Sequence, residues 1–504
     1  MNNGNTSNTS QTDCFKKYFW AIKNYENELK EHCNYLNIKN INEKQEFEDD
    51  FYFSQNEKFS MKRCEVKIYK YDYFEINEIH KRRFLYQENS IEIFLKNGKN
   101  YMLSFNIDKR EQIFSIIISN LQYLLNSKKN NNYKLISNNK IYAYLRKSNI
   151  FIKKVKTKNQ KSEKKLIDRK TILEKSTEFW SNNLISNYDY LMILNTLSGR
   201  TYNDLSQYPI YPWIIKQYNS ELINLNDEKI YRDLKYPIFA QEKETRLKLK
   251  LKFEEADDDE GKYFSGTHYS NPGFVSYYLI RQKPFSIYAS EIQGGYFDTP
   301  DRLFYDIKTI WDVSEKFQEL IPEMFYLTES LVNYNNFKFG QNQFKNYVND
   351  VILPNWAKNN FRLFIKVNKK SLESYFINEK ISDWIDLIFG YKQNGKDSIE
   401  YLNVYRKACY SFNVNNYLNK ELDNLKLSND ENLNKKEITK IYNSLEDLMN
   451  EICEMGQNPI QLFNKPHIKR EKQKNFSYLN KAIFLLKFNL INKKKKIKLK
   501  LVQI

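Results

Sequence analysis

ISNYDYLMILNTLSGRTYNDLSQYPIYPW, residues 185–213, changes character half-way along. Ser186-Asn187-Tyr188-Asp189 has the form of a capping box, with a hydroxyl for a free N–H and a carboxylate three residues on. The helix it opens carries Tyr190, Ile193, Leu194 and Leu197 on one face, and Gly199 ends it because glycine tolerates a left-handed turn. Pro209 and Pro212 follow among aromatic residues, each removing a backbone donor and discouraging a long helix. A capped helix that runs into proline-punctuated, aromatic-rich chain predicts an aromatic core threaded by extended segments.

The same texture continues from 169 to about 410, which reads as one large domain. Pro237, Pro272, Pro284, Pro300, Pro322 and Pro354 all fall there. Ser382 is read as the cap of a second helix, Trp384 to Phe389, which Gly390 ends as Gly199 ends the first. Trp213, Trp356 and Trp384 are core candidates rather than stacking platforms for a ligand. Upstream, Val66, Ile68, Ile76, Ile79, Ile91, Ile93 and Phe94 lie in short strand-like runs, and Asn97-Gly98 marks a hairpin turn. Residues 109–125 then form one helix, with Ile113, Ile117, Leu121 and Leu124 on a shared face. The expected order is an N-terminal extension (1–50), a small β-rich unit ending in one helix (51–125), a basic Lys/Asn-rich linker or insertion (126–168), the large domain (169–470) and a basic tail (471–504).

The 504 residues carry 80 Lys+Arg and 62 Asp+Glu, a formal net charge of +18. That excess is localised: residues 126–170 contribute +13 and residues 471–504 contribute +9, leaving the rest near −4. A nucleic-acid enzyme would carry its positive field in a groove of the folded domain, so a nucleic-acid binder acting through the basic tail is a distant alternative. Five Cys with no CxxC speak against a disulfide framework and a zinc ribbon, and for a reducing compartment. No run approaches 18 apolar residues, so no transmembrane segment is expected. In the tail, Ala482 to Leu486 is apolar and is followed by Lys487, Lys493–Lys496, Lys498 and Lys500. This suits a weak contact with an anionic membrane surface, or a solvated terminus.

Ordered segments across 169–470 resemble the BEACH domain family. Besides the opening stretch they are YRDLKYPI (231–238), GTHYSNPGFVSYYLIRQKPFS (266–286), IQGGYFDTPDRLF (292–304), ELIPEMFYL (319–327), LPNWAK (353–358), LESYFINEKISDWIDLIFGYKQNG (372–395) and GQNPIQLFNKPHIKR (456–470). INEIHKRRFLYQENSIEIFL (76–95) resembles the latter half of the PH-like domain that precedes BEACH in that family. The resemblance implies a BEACH fold, mostly α with an irregular, extended-segment core, with a PH-like module packed tightly on it and a groove between them. It also implies a non-enzymatic scaffold that binds other proteins in vesicle, lysosomal or autophagic traffic, cytoplasmic and peripheral on endomembranes, with no cofactor.

Gly266-Thr267-His268-Tyr269-Ser270 is the most enzyme-like stretch, and a hydrolase using His268 is the alternative function. The core-histidine reading is favoured, because no GxSxG elbow accompanies it. Arg200, Asp204, Arg232, Asp233, Arg281, Asp298 and Arg302 alternate in sign through the family motifs. They form either a binding surface or buried pairs that satisfy an irregular core. Arg82 and Arg83, at the end of a strand, are the strongest candidates for a contact between the two modules.

Overall fold

The computed structural model describes residues 70–105, 109–126, 152–156, 162–166, 169–256, 262–312, 319–411 and 447–470. The readings for the N-terminal extension and the basic tail lie outside these residues. The chain divides into two compact units, Met1–Ile76 and Asn77–Ile504. In the first, the described part is a 3-10 turn, Tyr73–Glu75, closed by the Asp72 N–H on the Glu75 carboxylate at 2.9 Å.

From Asn77 on, the second unit holds a three-stranded sheet of β1 (Ile76–Phe84), β2 (Gln87–Leu95) and β3 (Asn100–Ser104), in that order. The β2–β3 pair is antiparallel, with Ile91 opposite Leu103, and Asn97-Gly98 makes the turn between them. The turn from β1 to β2 carries no such signal. Leu85 and Tyr86 both have positive φ (49° and 61°), as a tight two-residue hairpin requires. Left-handed backbone costs a residue with a Cβ about 1–2 kcal/mol, and burying a large apolar side chain returns roughly 1.5–3 kcal/mol. Both side chains are buried against Ala408 and Ile452, so burial outweighs the strain. Helix α1 (Lys109–Asn126) packs across β2 with Ile113, Ile117 and Leu121 half-buried.

Within 126–168, read as a linker or insertion, β4 (Ile152–Lys156) and β5 (Ser162–Leu166) form an antiparallel pair. Strands reading IKKVK and SEKKL offer no apolar alternation, which is why periodicity passes over them.

The body starts with α2 (Arg169–Ser181) and α3 (Asn187–Leu197), and continues with α4 (Lys243–Glu255), α5 (Pro272–Tyr278), α6 (Phe285–Ile292) and α7 (Ile307–Asp312). It closes with α8 (Phe361–Leu372), α9 (Tyr375–Ile388), α10 (Gly395–Glu400) and the helical residues 447–455. The Ser186 hydroxyl caps α3, accepting from the Asp189 N–H at 3.1 Å and donating to its carboxylate at 2.7 Å. Six prolines sit at the first position or N-cap of short helical turns: Pro237, Pro272, Pro284, Pro300, Pro322 and Pro354. A missing N–H is harmless there because the first turn has no acceptor for it.

Two sequence expectations need correction. The helix holding Trp384 starts nine residues before it, at Tyr375, capped by Ser374 rather than Ser382, and Ser382 is buried inside it. Gly390 is extended (φ −119°), not left-handed. Glycine is required because a Cβ would lie 2.7 Å from Asp386 Cα.

The segments between helices are joined by single bridges, such as Tyr211 with Leu320 and Ile215 with Tyr231. Buried side chains therefore take over the work of a sheet ladder. Glu319 accepts from the Trp213 N–H (2.8 Å) and Trp384 Nε1 (3.1 Å), and pairs with Arg232 Nη2. Arg232 Nε in turn holds the Trp213 carbonyl. Arg281 donates to Asn349 O through Nε (2.9 Å) and Nη2 (2.7 Å), and to Phe304 O through Nη1 (2.6 Å). Trp213, Trp356 and Trp384 are 2%, 4% and 0% exposed. Replacing Trp384 by Ala should therefore lower stability by roughly 3–5 kcal/mol, since it opens a cavity and strips Glu319 of a donor. Chemical denaturation of the wild type and the variant measures this, and an unchanged midpoint would contradict it.

Candidate functional site

Several buried charged side chains gather where the sheet meets the body. β2 is covered on both faces, leaving Ser90, Ile91 and Glu92 each 0% exposed. A buried carboxylate mid-strand needs a counter-charge and several donors. Arg82, across the β1–β2 pair, supplies Nε at 2.5 Å from Glu92 Oε2, and its Nη1 reaches the Thr196 carbonyl at the end of α3 at 2.6 Å. The other carboxylate oxygen accepts from the Thr201 hydroxyl and from Asn203 Nδ2 (2.8 Å). One ion pair thus fastens two strands to the loop after α3.

Arg83 extends the junction. Its carbonyl accepts from Gln207 Nε2 at 2.9 Å, and its Nη2 faces the Asn458 carbonyl at 3.4 Å. Burial pulls its pKa down. Asp204 caps the short turn Leu205–Gln207, accepting from the Ser206 N–H (2.9 Å) and Gln207 Nε2 (2.8 Å), so it aims Gln207 at the sheet. Arg110 completes the cover by donating to the Arg82 carbonyl at 3.2 Å. The turn residues Leu85 and Tyr86 reach into the body beside helical residues 447–455, with Leu448, Met449 and Cys453 at the rim.

Behind the junction, Arg200 is buried with backbone partners. Its Nη1 holds Tyr208 O (2.7 Å), and its Nη2 holds Gln457 O (2.8 Å) and faces His268 Nδ1 (3.2 Å). Burial lowers its pKa to about 9, with the neighbouring Tyr86 and Asp204 opposing. The Ser270 N–H also converges on His268 Nδ1, at 3.3 Å, so the ring proton belongs on Nε2. Burial and then Arg200 hold the His268 pKa well below its ordinary value, and the ring stays neutral. Tyr269 donates to Asn403 Oδ1 at 2.6 Å. His268 has neither the carboxylate nor the hydroxyl partner of a nucleophilic site among the described residues, and the hydrolase reading loses its geometry.

The alternating charges do not make one surface. Arg200, Arg232 and Arg281 lie in the interior, as do His268 and Tyr269, out of reach of a surface partner. Asp233 and Asp298 close local turns, accepting from the N–H groups of Lys235 (2.9 Å) and Thr299 (2.7 Å). Arg302 is exposed and 3.8 Å from Asp298. Spacing in sequence carried no information about which of these would share a face. Sequence reasoning passed over Glu92, which looks like an outward polar residue between Ile91 and Ile93, and over Glu319, the first letter of ELIPEMFYL. Among the described residues no group of three or more His, Cys, Asp or Glu is placed to hold a metal.

The Beige/BEACH domain family matches residues 178–470, more than half the chain. The chain belongs to the BEACH family. The PH domain associated with Beige/BEACH matches residues 36–118, which include the whole of the three-stranded sheet. BEACH domain-containing protein lvsE of Dictyostelium discoideum is 37% identical over 417 residues, 81% of this chain and 16% of that protein. WD repeat- and FYVE domain-containing protein 4 of Mus musculus is 36% identical over 410 residues, 79% of this chain and 11% of the other. The lysosomal-trafficking regulator of Homo sapiens is 36% identical over 365 residues, 69% of this chain and 8% of the other. The chain therefore spans a sixth or less of the length of these relatives. The junction just described is a contact between the PH-like sheet and the BEACH body of one chain.

Removing one member of the Arg82–Glu92 pair strands the other in a buried setting. Glu92→Gln should destabilise the chain by about 3–5 kcal/mol, whereas the double replacement Arg82→Met/Glu92→Leu should lose much less. Denaturation of the single and double variants tests this, and equal losses in both would show that the charge itself is not what holds the junction.

Proposed function

We propose that the PH-like sheet and the BEACH body act together as a non-enzymatic platform for other proteins in membrane traffic, at vesicle, endolysosomal or autophagic membranes. The observation that carries this reading is the junction. A buried ion pair, shared side-chain donors and a buried hairpin turn fix the two modules as one rigid surface, a suitable base for a partner that touches both. Membership of a family that includes a lysosomal-trafficking regulator supports the setting. No described helix is long and apolar enough to cross a membrane. The proposed placement, cytoplasmic and peripheral on endomembranes, rests on that kinship.

The sequence offers less to the alternatives. The hydrolase reading depended on His268, whose Nδ1 is taken by Arg200 and Ser270. The nucleic-acid reading depended on charge that belongs to 126–170 and 471–504 and leaves the remainder slightly acidic.

Proximity labelling in cells with the intact chain and with Glu92→Gln tests the proposal. Endomembrane proteins should be enriched by the intact chain, and most of that enrichment should disappear in the variant at matched expression. Equal labelling by both would show that the joined surface is not the platform, and an absence of endomembrane proteins from both would overturn the assignment to traffic.

A further inference from the structure

Helix α4 (Lys243–Glu255) buries none of its residues fully, although it lies on the body. Its inner side packs through Leu249 and Phe253, and Phe253 stacks on Phe264 with centroids 4.3 Å apart. Its outer side carries Leu247 and Leu251, 64% and 57% exposed, one turn apart. At 100° per residue, Lys243 and Lys250 run along one flank of this leucine ridge, and Lys248 and Lys252 along the other. None of these four lysines is in an ion pair among the described residues, and residues 245–253 contain no acid.

At the foot of the helix, Tyr236, Lys243, Arg246, Leu247 and Lys250 line an open pocket of about 250 Å³. Arg246 is fixed there. Its Nη1 donates to the carbonyls of Ala240 (2.9 Å) and Gln241 (2.6 Å), and its guanidinium lies 4.4 Å from the Tyr236 ring centroid. Tyr401 packs beside Tyr236 with ring centroids 6.2 Å apart, and Lys235 adds a fourth cation 5.6 Å from the Tyr401 centroid. Three cations converging on one pocket, beside exposed leucines, match a ligand that is anionic at its head and apolar below it.

We propose that α4 docks on an anionic phospholipid surface, with Leu247 and Leu251 entering the headgroup–acyl boundary and a lipid phosphate held among Lys243, Arg246 and Lys250. Two leucines between rows of lysine lack the charge-depleted, apolar centre on which a specific protein interface is built. A bilayer requires no matching shape, and lysine stems lie along its surface while their ammonium groups meet the phosphates. Glu244 in the first turn and Glu254 and Glu255 in the last are repelled by the same surface, so Leu247, Lys250 and Leu251 between them make the closest contact. The site is separate from the sheet–body junction and does not depend on the protein-platform reading.

The test uses the full chain with vesicles of equal parts phosphatidylcholine and phosphatidylserine, and with pure phosphatidylcholine. Lys243→Glu/Lys250→Glu and Leu247→Asn/Leu251→Asn alter exposed positions only, and their melting points should match the parent. Each pair should weaken sedimentation with the anionic vesicles roughly tenfold or more. Amide exchange across 246–253 should slow with anionic vesicles and stay unchanged with phosphatidylcholine alone. Sedimentation unchanged in both variants, or binding without any slowing of exchange in this helix, would overturn the proposal and place the contact elsewhere, as in residues 471–504. Equal slowing by inorganic phosphate, or by polyglutamate without vesicles, would also overturn it in favour of a soluble anion or an acidic protein segment.

Discussion

Extended backbone without a sheet must still find a partner for every N–H and C=O it takes out of water. Much of the BEACH body is such backbone, tied by isolated bridges rather than ladders. The rest of the structure depends on the side chains that supply the missing donors and acceptors. Arg200, Arg232 and Arg281 each clamp carbonyls of segments far from them in sequence. Asn195 and Asn403 do the same with neutral amides, Asn195 by holding both the N–H and the carbonyl of Ile210. Guanidinium suits this work because its donors form a fixed planar fork that can bind two carbonyls at once. Burying such a cation is tolerable only where hydrogen bonds or a carboxylate replace water, and Glu319 does so for Arg232.

The same device continues across the boundary between modules. Arg82 satisfies a carboxylate on its own sheet and a carbonyl of the body with one side chain, and Glu92 accepts from both sides. Separating the modules would expose a charged pair, several orphaned donors and the apolar Leu85–Tyr86 turn together. This makes the junction a structural weld. It also gives a physical reason for the three described strands to stay seated on a large helical body.

How much of this was legible in the sequence follows from where each signal resides. Helix α3, its serine cap and its Gly199 stop are local, and so is the Asn97-Gly98 turn; the family segments added the order of the two modules. The Leu85–Tyr86 turn was illegible because its conformation is imposed by burial against Ala408 and Ile452, residues more than 300 positions away. Ser382 and Gly390 were misread for a related reason. A serine inside a helix resembles a cap in one dimension, and the need for glycine at 390 comes from the close approach of Asp386. The hairpin within 126–168 hid behind lysines. In the candidate site, Arg82 and Arg83 could be singled out as charged ends of a strand, but Glu92 and Glu319 could not, since their partners are brought to them only by the completed fold.

Sheet and body form one folding unit joined through buried polar contacts. Thermal unfolding of the fragment 169–470 beside the intact chain puts this to the test. The fragment, deprived of the strands that cover Thr201, Gln207 and Ala408, should melt well below the intact chain or aggregate. A soluble fragment with an unchanged melting point would show that the body satisfies its own backbone and that the junction is only a resting contact.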